Sequence, residues 1–335
     1  MNTTVYGDIS PRTAAYAAVE LLKRGMPYML LEKFGQMKPL PGNKSTTIKF
    51  RRYEHLPLTL TPLVEGVTPP AQKLTYTDIT ATLQQFGNVV AISDVIADTH
   101  EDPVFQEAQN VLGEQAAMTI ETYRFNQLKA GSNVFYAGSV ALQSSIVSPV
   151  NRPDQRRIVR SMERQFAGHI TSIIRSTPNF NTENVLPCFV ALCHVDLKSD
   201  VRAMPGFIDV KDYGQIPPFE SEIGAVEDVR YLHSQIFQSW PDSGGTASTS
   251  GANPTGLITT SGTSADIYPI LYVGKDSFGL VALKGKYAIT PMVINPSPSK
   301  SDPLGQRGSV SWKTMQTAVI LNDAWFTVYE CAASN

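Results

Sequence analysis

The sequence predicts an α+β protein, and three observations carry that prediction. A long amphipathic helix is written between Asp102 and Ala130. Two β-prone stretches precede it, Thr46 to Tyr53 and Leu74 to Leu83, with a proline-punctuated segment between them. Far downstream, Val310 to Glu330 is dense in aromatic and β-branched residues, including Trp312, Val319, Ile320, Trp325, Phe326, Val328 and Tyr329. With 335 residues, 42% of them hydrophobic, the chain has ample material for a buried core. A net charge of −2 supplies no overall basic field for nucleic acid. No apolar run approaches the ~20 residues of a membrane span, and Met1 to Ser10 carries no secretory signal pattern.

Taken in order, Ser10-Pro11 opens a short helix with a Ser cap and Pro at its first turn. Ala15, Val19 and Leu22 form its apolar face, and Gly25 ends it. Met29 to Phe34 is a second short segment. Together they form an N-terminal arm that must dock on its own body or on a neighbour. In Thr46–Tyr53, Ile48 and Phe50 alternate with Thr47, Lys49 and Arg51. Pro57, Pro62, Pro69, Pro70 and Gly66 then exclude a central strand. Leu74–Leu83 and Val89–Ile92 are again β-prone. The simplest picture is two long antiparallel strands with an irregular tip near Val64–Val67. Such a hairpin has too little apolar surface to bury itself. It rests on a partner chain, or it folds over its own domain.

The long helix has Asp102 as N-cap, Pro103 at the first helical position and Gly131 as its stop. Phe105, Ala108, Leu112, Ala116, Ile120 and Tyr123 make a stripe with steps of three and four. At 1.5 Å per residue it spans about 40 Å. The C-terminal strands are the expected partner of that stripe. Asn151 caps a further helix from Pro153 to about Ala167, with Arg156, Arg160 and Arg164 on one face and Arg157 adjacent. That face suits nucleic acid or an acidic neighbour. The alternative is a solvated face paired internally through Asp154 or Glu163.

Downstream, Cys188–Cys193 reads as an apolar strand and Leu197–Met204 as a helix. Glu222–Leu232 reads as strand, turn, strand, and Tyr268–Val273 and Leu280–Leu283 as strands. Ser239–Asp266 is a low-complexity loop, expected to be exposed and mobile. Val310–Leu321 and Ala324–Glu330 flank Asn322-Asp323 as a β-hairpin.

Catalytic spacing is missing from this pattern. His55, His100, His169, His194 and His233 are scattered, and there is no G-x-S-x-G elbow. Gly279 and Gly285-Lys286 enclose five residues instead of the four of a phosphate loop, and Tyr287 follows where Ser or Thr would bind magnesium. The three cysteines, Cys188, Cys193 and Cys331, fit no disulfide framework, and Cys188, Cys193 and His194 match no zinc spacing. Buried free thiols are the expectation. No catalytic, cofactor or metal site is expected, and the protein reads as a non-enzyme.

Several widely spread motifs resemble the major capsid proteins of tailed phages with the HK97-type fold, more narrowly those of N4-like podophages. They are Leu31-Glu32-Lys33-Phe34-Gly35-Gln36, Thr47-Ile48-Lys49-Phe50-Arg51-Arg52-Tyr53 and Thr61-Pro62-Leu63-Val64-Glu65-Gly66-Val67-Thr68-Pro69. Asp98-Thr99-His100-Glu101-Asp102-Pro103, Asn151-Arg152-Pro153-Asp154 and Asp302-Pro303-Leu304-Gly305-Gln306-Arg307-Gly308 follow. Last come Trp312-Lys313 and Ala318-Val319-Ile320-Leu321-Asn322-Asp323-Ala324-Trp325. The Ser239–Asp266 loop lies outside the resemblance.

The resemblance implies an N-arm over 1–36 and an extended E-loop hairpin over 37–90. It implies a P-domain over 91–167 and 291–335, with the 102–130 helix as spine and the C-terminal β-hairpin, and an A-domain over 168–290 with the 239–266 loop. It implies a subunit that assembles with itself as pentamers and hexamers in an icosahedral head shell. That shell encloses double-stranded DNA without sequence-specific binding, in the virion and, during assembly, in the host cytoplasm. Its partners would be a portal protein, a separate scaffolding protein (the short N-arm has no room for a fused one) and, as an option, a decoration protein. Membranes and cofactors are not implied. Arg51, Arg52, Glu65 and Lys73 are the candidate inter-subunit charges, and Arg156, Arg160 and Arg164 the candidate DNA-facing ones. The alternatives are an encapsulin-like cellular compartment, or an α/β enzyme with a site between the Cys188 strand and the 239–266 loop.

Overall fold

A computed structural model describes residues 29–42, 45–95, 104–174, 182–213, 218–247, 256–283, 289–298 and 303–334. The expected Ser10–Gly25 helix and the Asp102-Pro103 cap lie outside them. The elements run β1 (Gln36–Met37), β2 (Thr47–Tyr53), β3 (Tyr76–Thr82), β4 (Gln84–Ser93), α1 (Val104–Leu128) and β5 (Val134–Tyr136). There follow α2 (Arg152–Arg164), β6 (Ile170–Ile174), β7 (Thr182–His194), α3 (Lys198–Ala203), β8 (Phe207–Asp209), β9 (Glu222–Val226) and β10 (Val229–Ser234). The last are β11 (Ile267–Val273), β12 (Phe278–Ala282), β13 (Ile289–Ile294), β14 (Arg307–Ile320) and β15 (Phe326–Ala332).

An eight-stranded mixed sheet has the order β5-β15-β11-β7-β10-β9-β8, with β6 on β7. It is covered on both faces, so its strands read as continuous apolar runs. Along β7, Phe189, Ala191 and Cys193 point to one cluster with Ile158 and Met162 of α2. Val190 and Leu192 point to the other, with Phe125 and Leu128 of α1 and with Phe278 and Leu280 of β12. All three cysteines are buried free thiols, and burial pushes Cys193 up to about 12.

The second sheet has the order β1-β12-β14-β13, and β4 joins β14. Helix α1 lies on it: Leu112, Ala116 and Ile120 pack with Ile92, Val310 and Trp312. The apolar stripe does not continue through Tyr123 as the sequence spacing suggests. Tyr123 is half-buried, with its ring 4.6 Å from that of Phe86. The next fully covered positions are Glu121, Arg124 and Phe125. Proline at Gly113, a buried interior position of α1, removes a helical hydrogen bond and clashes with the preceding turn. The expected cost is about 3 kcal/mol or more. Gly113→Pro should therefore leave no soluble, cooperatively unfolding protein by circular dichroism.

Three expectations are corrected. The C-terminal hairpin does not form, because β14 lies in the five-stranded sheet and β15 in the eight-stranded one. The Asn322-Asp323 step lacks the glycine that a two-residue turn favours. Instead Asn322 Oδ1 accepts from the Ala324 amide at 3.2 Å, and Trp325 Nε1 donates to the Gln165 carbonyl at 2.8 Å. Every residue of β15 is buried, which requires cover on two faces that a lone hairpin cannot supply.

Nor does the hairpin of the arm extend to residue 90. Its ladder pairs Thr47 with Thr82 and Tyr53 with Tyr76. The next stretch, β4, pairs with β14 from Gln84↔Gln316 to Ser93↔Arg307. Gly87 permits that approach, since a Cβ there would stand 2.7 Å from the Trp312 carbonyl oxygen.

The described flanks of the 239–266 loop are partly docked: residues 241, 242, 246, 256 and 260–263 are exposed as expected, but others are not. Ala247, Leu257, Ala265 and Asp266 are buried. The Asp266 carboxylate organises them by accepting from the Asp242 amide at 3.0 Å and the Thr260 amide at 2.9 Å.

Candidate assembly surfaces

The arm is the first surface. In β2 only Phe50 is buried, and it packs with Leu40, Ala81, Leu83, Val281 and Leu321 at the arm's root. Arg51 faces Asp78 across the ladder and donates twice to its carboxylate, at 2.8 and 2.9 Å. The guanidinium also lies over the Tyr76 ring at 4.1 Å. The hydrogen bonds from Arg51 hold Asp78 below its ordinary value. Arg52 lies 3.8 Å from Glu54. These two candidate interface cations are thus engaged within the arm. Glu65 and Lys73 are exposed and pair with no described residue.

Beyond Tyr53 and Tyr76 the two limbs run extended to a turn, where the Val67 amide donates to the Val64 carbonyl at 3.1 Å. Gly66 has φ +80° there. Gln72 Nε2 donates to Thr59 Oγ1 at 2.8 Å and ties the limbs together. The apolar side chains find no cover: Leu58 is 91% exposed, Leu60 88% and Leu63 77%, with Leu56, Val64, Val67 and Leu74 also exposed. Proteins rarely leave this much contiguous apolar surface in water unless a partner covers it.

The second surface is α2. Asn151 caps it, accepting from the Asp154 amide at 2.9 Å. Asp154 is itself buried and accepts from the Gly138 amide at 3.0 Å and from the Tyr329 hydroxyl at 3.1 Å. The arginine face is not a uniform stripe. Arg156 donates to both carboxylate oxygens of Glu227, from Nε at 2.9 and 3.0 Å. Those bonds hold Glu227 below its ordinary value. Arg157 pairs with Asp154 at 3.2 Å. Arg160 and Arg164 are exposed and make no ion pair with a described residue.

Sequence reasoning missed a third feature, a buried charged cluster that holds the chain just before β1. Glu121 Oε1 accepts from the amides of Leu30 and Leu31 at 2.9 and 2.8 Å. Arg124 Nη2 donates to Gln316 Oε1 at 2.6 Å, and its Nη1 lies 3.6 Å from Glu32. Burial pushes the Glu121 carboxyl up to about 7, opposed by the Arg124 charge. Leu30, Leu31 and Phe34 are buried beside the cluster, so this stretch docks on the chain's own body. The readable signal was Arg124 itself, one four-residue step beyond Ile120 on the apolar stripe.

Among the described residues no group of three or more His, Cys, Asp or Glu is placed to hold a metal. No helix of the described residues is long and apolar enough to cross a membrane.

The body buries its core in four clusters, and the arm leaves an apolar surface that suits cover by a partner. The chain belongs to the phage capsid protein family, whose profile matches residues 76–323. Its fold is similar to that of the capsid of Ralstonia phage GP4, with a TM-score of 0.67 at 11% identity over 92% of each chain. It is also similar to the cyanophage Pam1 capsid, with a TM-score of 0.60 at 14% identity over 93% of this chain and 92% of that one. The head of Helicobacter pylori bacteriophage KHP40 gives a TM-score of 0.56 at 11% identity over 89% and 87%. At these identities the likeness speaks for the fold. No curated protein matches the chain. The protein is a structural subunit of a phage capsid.

Proposed function

We propose that this capsid protein has the HK97-type fold of tailed phages, of the N4-like podophage kind. Copies of it would assemble as pentamers and hexamers into an icosahedral head around double-stranded DNA. The observation that carries this reading is the arm over residues 54–75, whose leucines are left in water in the single chain. In this reading the arm is the E-loop, α1 is the spine helix of the P-domain beside β4, β13 and β14, and the eight-stranded sheet belongs largely to the A-domain. Residues before β1 are the N-arm. Glu65 and Lys73 are the arm charges left for inter-subunit pairs, worth about 0–1 kcal/mol each when exposed and repeated over every copy. A near-neutral chain suits a shell that contains DNA without gripping it. Assembly in the host cytoplasm with a portal and a separate scaffolding protein belongs to the same reading, and the role is non-enzymatic.

Electron microscopy of purified particles tests it. A DNA-filled, tailed head is the expected result. An enzyme-loaded shell would favour an encapsulin-like compartment. A monodisperse monomer at high concentration, with a ligand in a cleft, would overturn both.

A further inference from the structure

The longest free strand edge among the described residues is that of β4, ten residues from Gln84 to Ser93. It pairs with β14 on one side only. Exposed edges are templates for another strand, and proteins blunt them with shortness, charge or proline. Most other edges follow that rule, the five-residue β6 (Ile170–Ile174) being the uncharged exception. Strands β1, β5 and β8 have two or three residues, β13 carries Pro291, and β2 carries Lys49, Arg51 and Arg52. Strand β4, QQFGNVVAIS, has no charge and no proline. Its Val89 is 61% exposed and the neighbouring Val90, on the opposite face, is exposed as well. The Val89 amide turns to the Asn88 side chain, Oδ1 at 2.8 Å, for want of another strand.

The same chain carries an apolar segment outside any sheet. Leu58-Thr59-Leu60-Thr61 pairs with no described strand and lies between Pro57 and Pro62, and its alternation of Leu with Thr suits a strand. The two prolines limit any added ladder to those four residues. Both segments are uncharged, so nothing repels them, and each presents bare aliphatic side chains to the other. They do not meet within one chain, where Leu58, Leu60 and Val89 all stay exposed. The Thr47/Thr82 end of the arm adjoins β4, and seven paired residues carry the Tyr53/Tyr76 end about 20 Å away.

We infer that residues 58–61 of one copy add as a strand to the free edge of β4 in a second copy, with Leu58 and Leu60 together on the face that carries Val89. This rests on the shell reading and names the contact that the arm makes in it.

The test is a disulfide trap in assembled particles. The native thiols are buried, and burial raises all three, so introduced exposed cysteines react first. Particles are assembled from a mixture of Leu60→Cys and Val89→Cys chains, then mildly oxidised and run on a non-reducing gel. The expected result is a reducible dimer band that needs both variants, several-fold stronger than with Leu60→Cys paired to Met292→Cys on the opposite edge. Particles that form normally without that band overturn the contact while leaving the shell reading intact. Cross-linking of Val89→Cys to Leu22→Cys in its place assigns the edge to the N-terminal segment and overturns it equally. As a second measure, Ala91→Lys should leave the thermal unfolding of the subunit unchanged and reduce particle yield at least tenfold. Unchanged yield counts against the contact. If the parent chain forms no particles, the shell reading itself fails.

Discussion

Deleting residues 57–70 is expected to leave a folded subunit that no longer closes into shells. None of the four core clusters contains a residue of that segment. The β2–β3 ladder ends at Tyr53 and Tyr76, and the Arg51–Asp78 pair lies inside it. Residues 54–56 and 71–75 remain to close the hairpin, and a shorter loop costs less entropy to close. The melting temperature should therefore stay within a degree or two of the parent. What disappears is Leu58, Leu60 and Leu63, each contributing roughly 1.5–3 kcal/mol when fully buried against a partner. Part of that gain goes to ordering the arm, so the net per contact is smaller. Summed around a lattice it still decides between shells and free subunits. Electron microscopy and sedimentation of the deleted chain check this. Normal shells from it would remove the arm from the account of assembly.

The parts that were legible in the sequence are those written in a local period. The alternation of Ile48 and Phe50 with Lys49 and Arg51 marks β2, and the prolines with Gly66 mark the turn at Val64–Val67. The spacing of Leu112, Ala116 and Ile120 marks the covered face of α1. What was not legible depends on which distant strand sits beside which. The strands on either side of Asn322-Asp323 look like a hairpin because each is apolar, yet that same two-sided apolarity commits them to different sheets. The small residues around Ala247 and Ala265 look like exposed loop, since nothing local reveals that Asp266 gathers the Asp242 and Thr260 amides across it. Arg156 reads as a free cation until Glu227, far along the chain, is placed opposite it. The arm's exposure is legible only by default: its leucines are apolar, and the fold supplies nothing to cover them.

Replacing Arg124 by Met is expected to destabilise the subunit by about 3–5 kcal/mol, because the buried Glu121 carboxylate loses the nearby positive charge that offsets its burial. Arg124 is 1% exposed and Glu121 fully buried. Met retains much of the volume, so the loss is electrostatic and comes from the severed bond to Gln316. In thermal unfolding it corresponds to a fall of about 4–7 °C. The pH dependence separates this cause from a packing defect. Glu121 is pushed up to about 7 from an ordinary 4.5, so the folded state holds more protons than the unfolded chain between those values. Stability from this group is complete below about 4.5 and is lost as pH rises through about 7. Without Arg124 its carboxyl should rise further, and the loss should continue to higher pH. Glu121→Gln keeps an oxygen to accept from the Leu30 and Leu31 amides but cannot ionise. Its difference curve from the parent should therefore change between pH 5 and 8, in favour of the variant at the alkaline end. In the pair Glu121→Gln with Arg124→Met no buried charge remains between the two positions, and most of the single-variant loss at pH 8 should be recovered. If Arg124→Met melts with the parent at pH 8, or the double variant is worse than the sum of the singles, the cluster is not what fixes residues 30 and 31 to α1. The stretch before β1 would then be held by Leu30, Leu31 and Phe34 alone.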